Sequence, residues 1–213
     1  MRDVLRRPRP DAGTTLVELL VAMMVFGIAM VMIMSAAIAV MHVTDKSSAA
    51  ADSAFQARQA LAVIDKQVRS GNVLFSPADE HNYVSTCQDM GTNQGSCMRI
   101  YTQSNGVEKC VQWQVVADGA GAYQLQMRSW SPTWQTTGGV SAWSVVSRSM
   151  SLPSAPFTLD VGPGGIYGER LLRVHLVAHN AKVGKDVAID ASISGRNTTY
   201  GYTGSECLPV PPA

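Results

Sequence analysis

Two histidines four residues apart, His175 and His179, four cysteines, and the triplet Asp79-Glu80-His81 are the side chains in this 213-residue chain best suited to chemistry. His175 and His179 lie in an alternating stretch that predicts a strand. On a strand they share a side but stand about 13 Å apart at ~3.3 Å per residue, too far to hold one metal ion together. They read as surface histidines. Asp79-Glu80-His81 reads as a polar turn, a weak set of ligands for a cation. Gly162-Pro163-Gly164-Gly165 is glycine-rich but lacks the Gly-Lys-Ser/Thr of a phosphate loop. There is no Gly-x-Ser-x-Gly elbow and no His-Glu-x-x-His helix. No catalytic residue, cofactor or metal site is expected, and the chain does not read as an enzyme. Trp113, Trp130, Trp134 and Trp143 offer either a sugar- or protein-binding surface or ordinary core and edge packing. Asn197-Thr198-Thr199 fits a glycosylation sequon.

Cys87, Cys97, Cys110 and Cys207 have the wrong spacing for a redox Cys-x-x-Cys or a zinc ribbon. An even count outside the cytoplasm points to disulfides. Three pairings satisfy that count. The favoured one joins Cys87 to Cys97, closing the polar loop CQDMGTNQGSC, and Cys110 to Cys207, pinning the tail to a strand. Each bridge is worth roughly 2–4 kcal/mol.

One further group stands out by its surroundings. Glu18 sits just inside the apolar run GTTLVELLVAMMVFGIAMVMIMSAAIAV. Residues 19–43 contain no Asp, Glu, Lys or Arg. As a helix those 25 residues extend roughly 37 Å at ~1.5 Å each, enough to cross a hydrocarbon core of about 30 Å. The preceding residues 1–13 hold Arg2, Arg6, Arg7 and Arg9 against Asp3 and Asp11, a net of +2. Positive flanks stay cytoplasmic, so everything after Val43 is expected outside. A cleavable secretory signal has an apolar region of about 7–15 residues, and this run is too long for one. An uncleaved signal anchor is the stronger competitor. A carboxylate at the bilayer centre costs about 2.5–3.5 kcal/mol. Near a helix amino terminus the cost is lower, but that alone gives no reason for the residue.

Gly13-Thr14-Thr15-Leu16-Val17-Glu18 resembles the processing site of type IV prepilins and type II secretion pseudopilins. The resemblance implies cleavage between Gly13 and Thr14 by a prepilin peptidase and N-methylation of Thr14. Thr15 and Leu16 match the motif, while Thr14 stands where Phe or Met is usual. Glu18 matches the acidic position whose carboxylate can neutralise the amino terminus of a neighbouring subunit and so set assembly register. A buried charge needs such a partner. Without residues 1–13 the chain has 200 residues, 13 basic and 14 acidic, a net of −1, and no specific nucleic-acid partner is expected. Gly27 and the neighbouring methionines suit close helix packing in a membrane or fibre core.

Beyond the apolar run, Ala54, Ala57, Leu61, Ile64 and Val68 recur at 3-4-3-4 spacing and predict an amphipathic helix with one packing stripe, stopping at Gly71. Either this helix continues the apolar one, or the two break near residues 44–48. Strands are expected at 97–102, 107–116, 123–130, 142–147, 157–161, 171–178 and 187–194. Asp118-Gly119-Ala120-Gly121 and Val183-Gly184-Lys185 are read as hairpin turns. Residues 91–96, 131–140 and 162–168 are read as loops, and residues 209–213 as a frayed tail. The expected fold class is α+β: a long N-terminal helix, half transmembrane and half amphipathic, packed on an antiparallel β-sheet in a pilin-like roll. The expected segments are a leader 1–13, a membrane or filament-core helix 14–43, its amphipathic half 44–70, and a β-rich extracytoplasmic domain 71–213.

RLLRVHLVAHN followed by DVAIDASISGRN, ending in Arg196-Asn197, resembles the last strands of W-type minor pilins and J-type minor pseudopilins, and residues 111–128 resemble their middle hairpin. The resemblance implies a minor subunit of a type IV pilus or type II secretion pseudopilus, near the filament tip. Its implied partners are other major and minor subunits, the prepilin peptidase, an inner-membrane assembly platform and membrane lipid. The alternative is a signal-anchored binding module, such as an adhesin or envelope receptor. A third class, an anchored hydrolase, finds no constellation to carry it.

Overall fold

The computed structural model describes residues 15–179, 186–195 and 201–212. Two compact units divide the chain, Met1–Lys46 and Ser47–Ala213. One helix, α1 (Leu16–Ser70), runs without a break through the boundary at residues 46–47. In the first unit every described residue is exposed. Among the described residues α1 is the one helix long and apolar enough to cross a membrane. Its hydroxyls carry their own partners: Ser35 Oγ donates to the Met32 carbonyl (2.8 Å) and Thr44 Oγ1 to that of Val40 (3.0 Å). Bonds of this kind let hydroxyls sit where no water reaches.

The second unit is a curled antiparallel sheet with the end of α1 on one face. Its strands are β1 (Gly71–Leu74), β2 (Asp89–Gly91), β3 (Gln94–Gly95), β4 (Cys97–Thr102), β5 (Lys109–Ala117), β6 (Tyr123–Trp130), β7 (Ser144–Ser151), β8 (Phe157–Asp160), β9 (Leu171–Ala178) and β10 (Val187–Ser194). They pair in the order β1-β4-β5-β6-β7-β9-β8-β3-β2, with β10 on the other edge of β9. The expected strands are all present. Three short ones, β1 to β3, are additional, so residues 91–96 are not simply a loop. The segment 131–140 contains a helical turn, Trp134–Thr137, and 162–168 contains one 3-10 turn, Pro163–Gly165, and ends where another, Gly168–Arg170, begins. The expected turn at 183–185 lies outside the described residues.

The sheet's apolar phase meets the helix stripe. Ala54, Ala57, Ala60, Ile64 and Val68 of α1 are buried. Ala60 takes the place expected for Leu61, which is half-buried beside it. The helix period of 3.6 lets the stripe drift by one residue over two turns. Ile64 and Val68 join Met98, Ile100, Val111, Trp113, Leu125, Leu172, Val174 and Leu176 in one core. A polar bolt adds to it: Trp113 Nε1 donates to Gln67 Oε1 at 2.6 Å. The β5–β6 turn is built as expected, with Asp118 Oδ1 accepting from the amides of Ala120 (2.8 Å) and Ala122 (3.1 Å).

The opposite phase of β4, β5 and β6 is also covered, which the polar residues there do not foretell. A 3-10 turn at Pro77–Asn82 lies over it, together with the chain's last segment. That segment is not frayed: Pro211 is buried, and the Pro211 and Pro212 carbonyls accept hydrogen bonds from Arg128. The turn approaches β3 closely. A Cβ added at Gly95 would stand 2.3 Å from the Pro77 carbonyl oxygen and 2.8 Å from its carbon. Both are backbone atoms, so the clash cannot be relieved by a side-chain rotation. Gly95→Ala is therefore expected to destabilise the domain by roughly 1–3 kcal/mol, read as a lowered thermal unfolding midpoint. Gly106→Ala has open space around its Cβ but a left-handed backbone, and should cost about 1–2 kcal/mol through the backbone alone.

Candidate functional site

Of the motif residues, Thr15, Leu16 and Glu18 are described, while Gly13 and Thr14 lie outside the described residues. Thr15 precedes the helix and caps it. Its carbonyl accepts from the amides of Glu18 (3.0 Å) and Leu19 (3.2 Å), and its Oγ1 accepts from the Glu18 amide at 3.3 Å. Thr-x-x-Glu is the spacing of a capping box. Glu18 stands in the first turn, where the helix dipole favours a carboxylate. The same spacing that marks the motif thus also starts the helix. Further along, Met23, Met24, Ile28, Val31 and Met32 surround a shallow apolar groove at Gly27. Nothing lies within 4 Å of where a Cβ on Gly27 would stand, so the groove is a place where another helix can approach closely.

Residues 8–34 match the family model for the prokaryotic N-terminal methylation motif. This segment is the prepilin signal of type IV pilins and pseudopilins. No curated protein and no solved structure matches the chain. The prepilin signal indicates a structural subunit, a type IV pilin- or pseudopilin-like protein anchored in a membrane by one apolar helix. It implies assembly with other pilin subunits and processing by a prepilin peptidase.

The globular unit of this pilin-like chain brings together residues that the sequence does not single out as a group. Arg99, Gln112 and Arg128 face one another across β4, β5 and β6 as a single cross-strand row. All three are buried, and so is Glu80 from the 3-10 turn, at 0% exposure. Arg99 Nε donates to Glu80 Oε1 at 3.0 Å, and Gln112 Nε2 donates to Glu80 Oε2 at 2.6 Å. Arg128 Nε donates to Gln112 Oε1 at 3.0 Å. The amide of Gln112 therefore relays between the carboxylate and the second guanidinium. Burial raises the Glu80 carboxyl above its ordinary pKa, with Arg99 and Gln112 pulling it back. Burial lowers Arg128 to about 10, opposed by the field of Glu80. Asp79-Glu80-His81 is a turn as expected, with Asp79 and His81 exposed, but its middle residue is turned inward and buried. Glu80 is spent on the sheet, and His81 Nδ1 contacts the Ala78 carbonyl at 2.6 Å.

The histidines behave differently. His175 Nδ1 pairs with Asp190, its cross-strand neighbour on β10, and His179 Nδ1 pairs with Asp186 at 2.7 Å. Each has its own carboxylate. Among the described residues no three His, Cys, Asp or Glu side chains cluster to hold a metal ion. Two disulfides join Cys87 to Cys97 and Cys110 to Cys207. Trp113 and Trp130 are core residues, whereas Trp134 and Trp143 are partly exposed. Arg196-Asn197 and the Asn197 sequon lie outside the described residues. The one signal for the buried row is a charged residue at mid-strand in two strands that flank a glutamine; the sequence alone cannot say whether water or protein covers it. Removing one partner of a buried ion pair leaves the other charge stranded. Glu80→Ala is expected to cost about 3–5 kcal/mol, measured by chemical unfolding of the oxidised protein, and Glu80→Gln, which keeps the shape and loses the charge, should recover only part of it.

Proposed function

We propose that this chain is a minor subunit of a type IV pilus or a type II secretion pseudopilus, incorporated at or near the filament tip. Residues 1–13 are a cytoplasmic leader removed after Gly13, and Thr14 becomes the methylated amino terminus. Residues 14–43 anchor the subunit in lipid before assembly and enter the filament core afterwards. Residues 44–70 are the amphipathic half of the helix, and residues 71–213 lie outside the cytoplasm. The partners are the prepilin peptidase, an inner-membrane assembly platform, and other major and minor subunits.

The observation that carries this reading is the prepilin signal at residues 8–34, which runs into the exposed apolar part of α1. In hydrocarbon the Glu18 carboxylate needs a positive partner, and a free amino terminus on a neighbouring subunit supplies one. Two disulfides agree with an oxidising compartment for the globular unit. The size of that unit favours a minor over a major subunit by analogy with the family.

The experiment is mutational. Glu18→Gln is expected to be processed normally but to enter filaments at least tenfold less efficiently, scored in sheared fractions against the membrane pool. Gly13→Leu is expected to block processing. Wild-type levels of Glu18→Gln in filaments, or normal maturation of Gly13→Leu, would contradict the proposal and favour an uncleaved, signal-anchored binding protein.

A further inference from the structure

The polar face of β4, β5 and β6 carries more positive charge than its strands can satisfy. Glu80 is the carboxylate bonded to the cluster, set against the guanidinium groups of both Arg99 and Arg128. Three further guanidinium N–H groups go to a single segment, residues 207–212. Arg99 Nη1 donates to the Cys207 carbonyl at 3.3 Å, Arg128 Nη2 to that of Pro211 at 2.8 Å, and Arg128 Nη1 to that of Pro212 at 2.7 Å. Trp134 Nε1 donates to the Pro209 carbonyl at 2.8 Å.

The chemistry of the two sides matches. A guanidinium has five donors and no acceptor. A proline offers a carbonyl and no backbone N–H. Leu208-Pro209-Val210-Pro211-Pro212 therefore brings acceptors to a donor-rich face and few donors that would need partners there. Aromatic rings complete the enclosure. The Arg128 guanidinium lies 4.5 Å from the Trp143 ring centre and 5.4 Å from that of Trp130; that of Arg99 lies 4.2 Å from Phe75 and 4.7 Å from Tyr83. Val210, the apolar residue between the prolines, packs against both disulfide clusters. The covalent tie from this segment to the sheet is Cys110–Cys207, which spans 97 residues.

We propose that residues 207–212 are an oxidation-gated strap: the segment docks, and Arg99 and Arg128 become buried, only when the Cys110–Cys207 bridge has formed. A hydrogen bond to a charged group nets about 1.5–3 kcal/mol, while fixing each tail residue costs roughly 1–2 kcal/mol of backbone entropy. Untethered, the tail competes poorly with water for those guanidinium groups. The bridge fixes Cys207 beside β5 and so holds the five residues after it at a high effective concentration over the arginine face. Forming it takes two electrons and two protons from the Cys110 and Cys207 thiols and delivers them to an external disulfide, which leaves as a dithiol. The consequence is that the aromatic and arginine face closes only on a chain whose globular unit has met an oxidant. The strap concerns folding of that unit and holds whether or not the chain assembles into a filament.

The test uses the full chain in detergent micelles, with the Val210 methyl groups and backbone amide exchange followed by NMR. In the oxidised wild type the Val210 methyls are expected to be ordered and shifted by the neighbouring rings. In Cys110→Ser/Cys207→Ser they are expected to move to random-coil shifts. Exchange at the Gln112 and Arg128 amides should rise at least tenfold, while Leu172 and Val174 of β9 keep their protection. Unchanged Val210 methyls would overturn the proposal. So would equal acceleration in β5, β6 and β9, the mark of a bridge that merely staples the whole domain. Because the double variant can lose its fold altogether, Arg128→Gln with both bridges intact is the second arm. It should mobilise Val210 through loss of the two carbonyl bonds, and a Val210 as ordered as in wild type would equally refute the strap.

Discussion

A helix of some 25 uncharged residues that stands exposed along its length requires hydrocarbon or other helices around it, and that requirement governs how the rest of the molecule is built. Water is a poor solvent for residues 19–43, yet no described residue of the first unit is buried. It is an element made for an environment supplied from elsewhere. The prepilin signal at residues 8–34 says which kind of environment: a membrane at first, and pilin-type subunits in assembly. Glu18 is the exception that this environment has to accommodate. Its position at the third residue of a capped helix eases the cost through the helix dipole, and a partner charge is needed for the remainder.

The second unit must then be stable by itself, and it achieves this by covering its sheet on both faces. On one face the end of α1 lays Ala57, Ala60, Ile64 and Val68 against the apolar phase of the strands. On the other, a short turn and the proline-rich tail cover a phase that is polar and partly cationic. Burying Arg99, Gln112 and Arg128 is tolerable because each side chain hands its hydrogen bonds to the next, from Glu80 through the glutamine amide to the tail carbonyls. Such a network favours one arrangement over its alternatives because every half-made version leaves a charge without a partner. The disulfides sit at its border and hold the two covering segments in place.

How far the sequence foretells this depends on what each residue type can reveal. The α+β class, the long helix and the main strands are legible, because the 3-4 spacing in residues 54–68 and the alternation in β6, β9 and β10 are strong periodic signals. The amino-terminal signal is legible because Gly13 and Glu18 stand at fixed spacing before an apolar run. The two-residue β3 is not legible: it forms because Phe157 and Thr158 of β8 lie beside it, a tertiary fact. The buried arginine row is hidden for a different reason. Alternation tells polar from apolar but not wet from dry, so Arg99 and Arg128 read as solvent-facing. The tail misleads in the same way. Its prolines suggest fraying, yet their lack of N–H groups is what suits them to a donor-rich surface.

The central claim is that this helix is uncovered at its amino end by a specific cut and then serves assembly. The most direct measurement is the intact mass and amino-terminal sequence of the chain extracted from membranes of cells that contain a prepilin peptidase. The account predicts a chain that begins at a methylated Thr14. A chain that retains residues 1–13 under those conditions would contradict it.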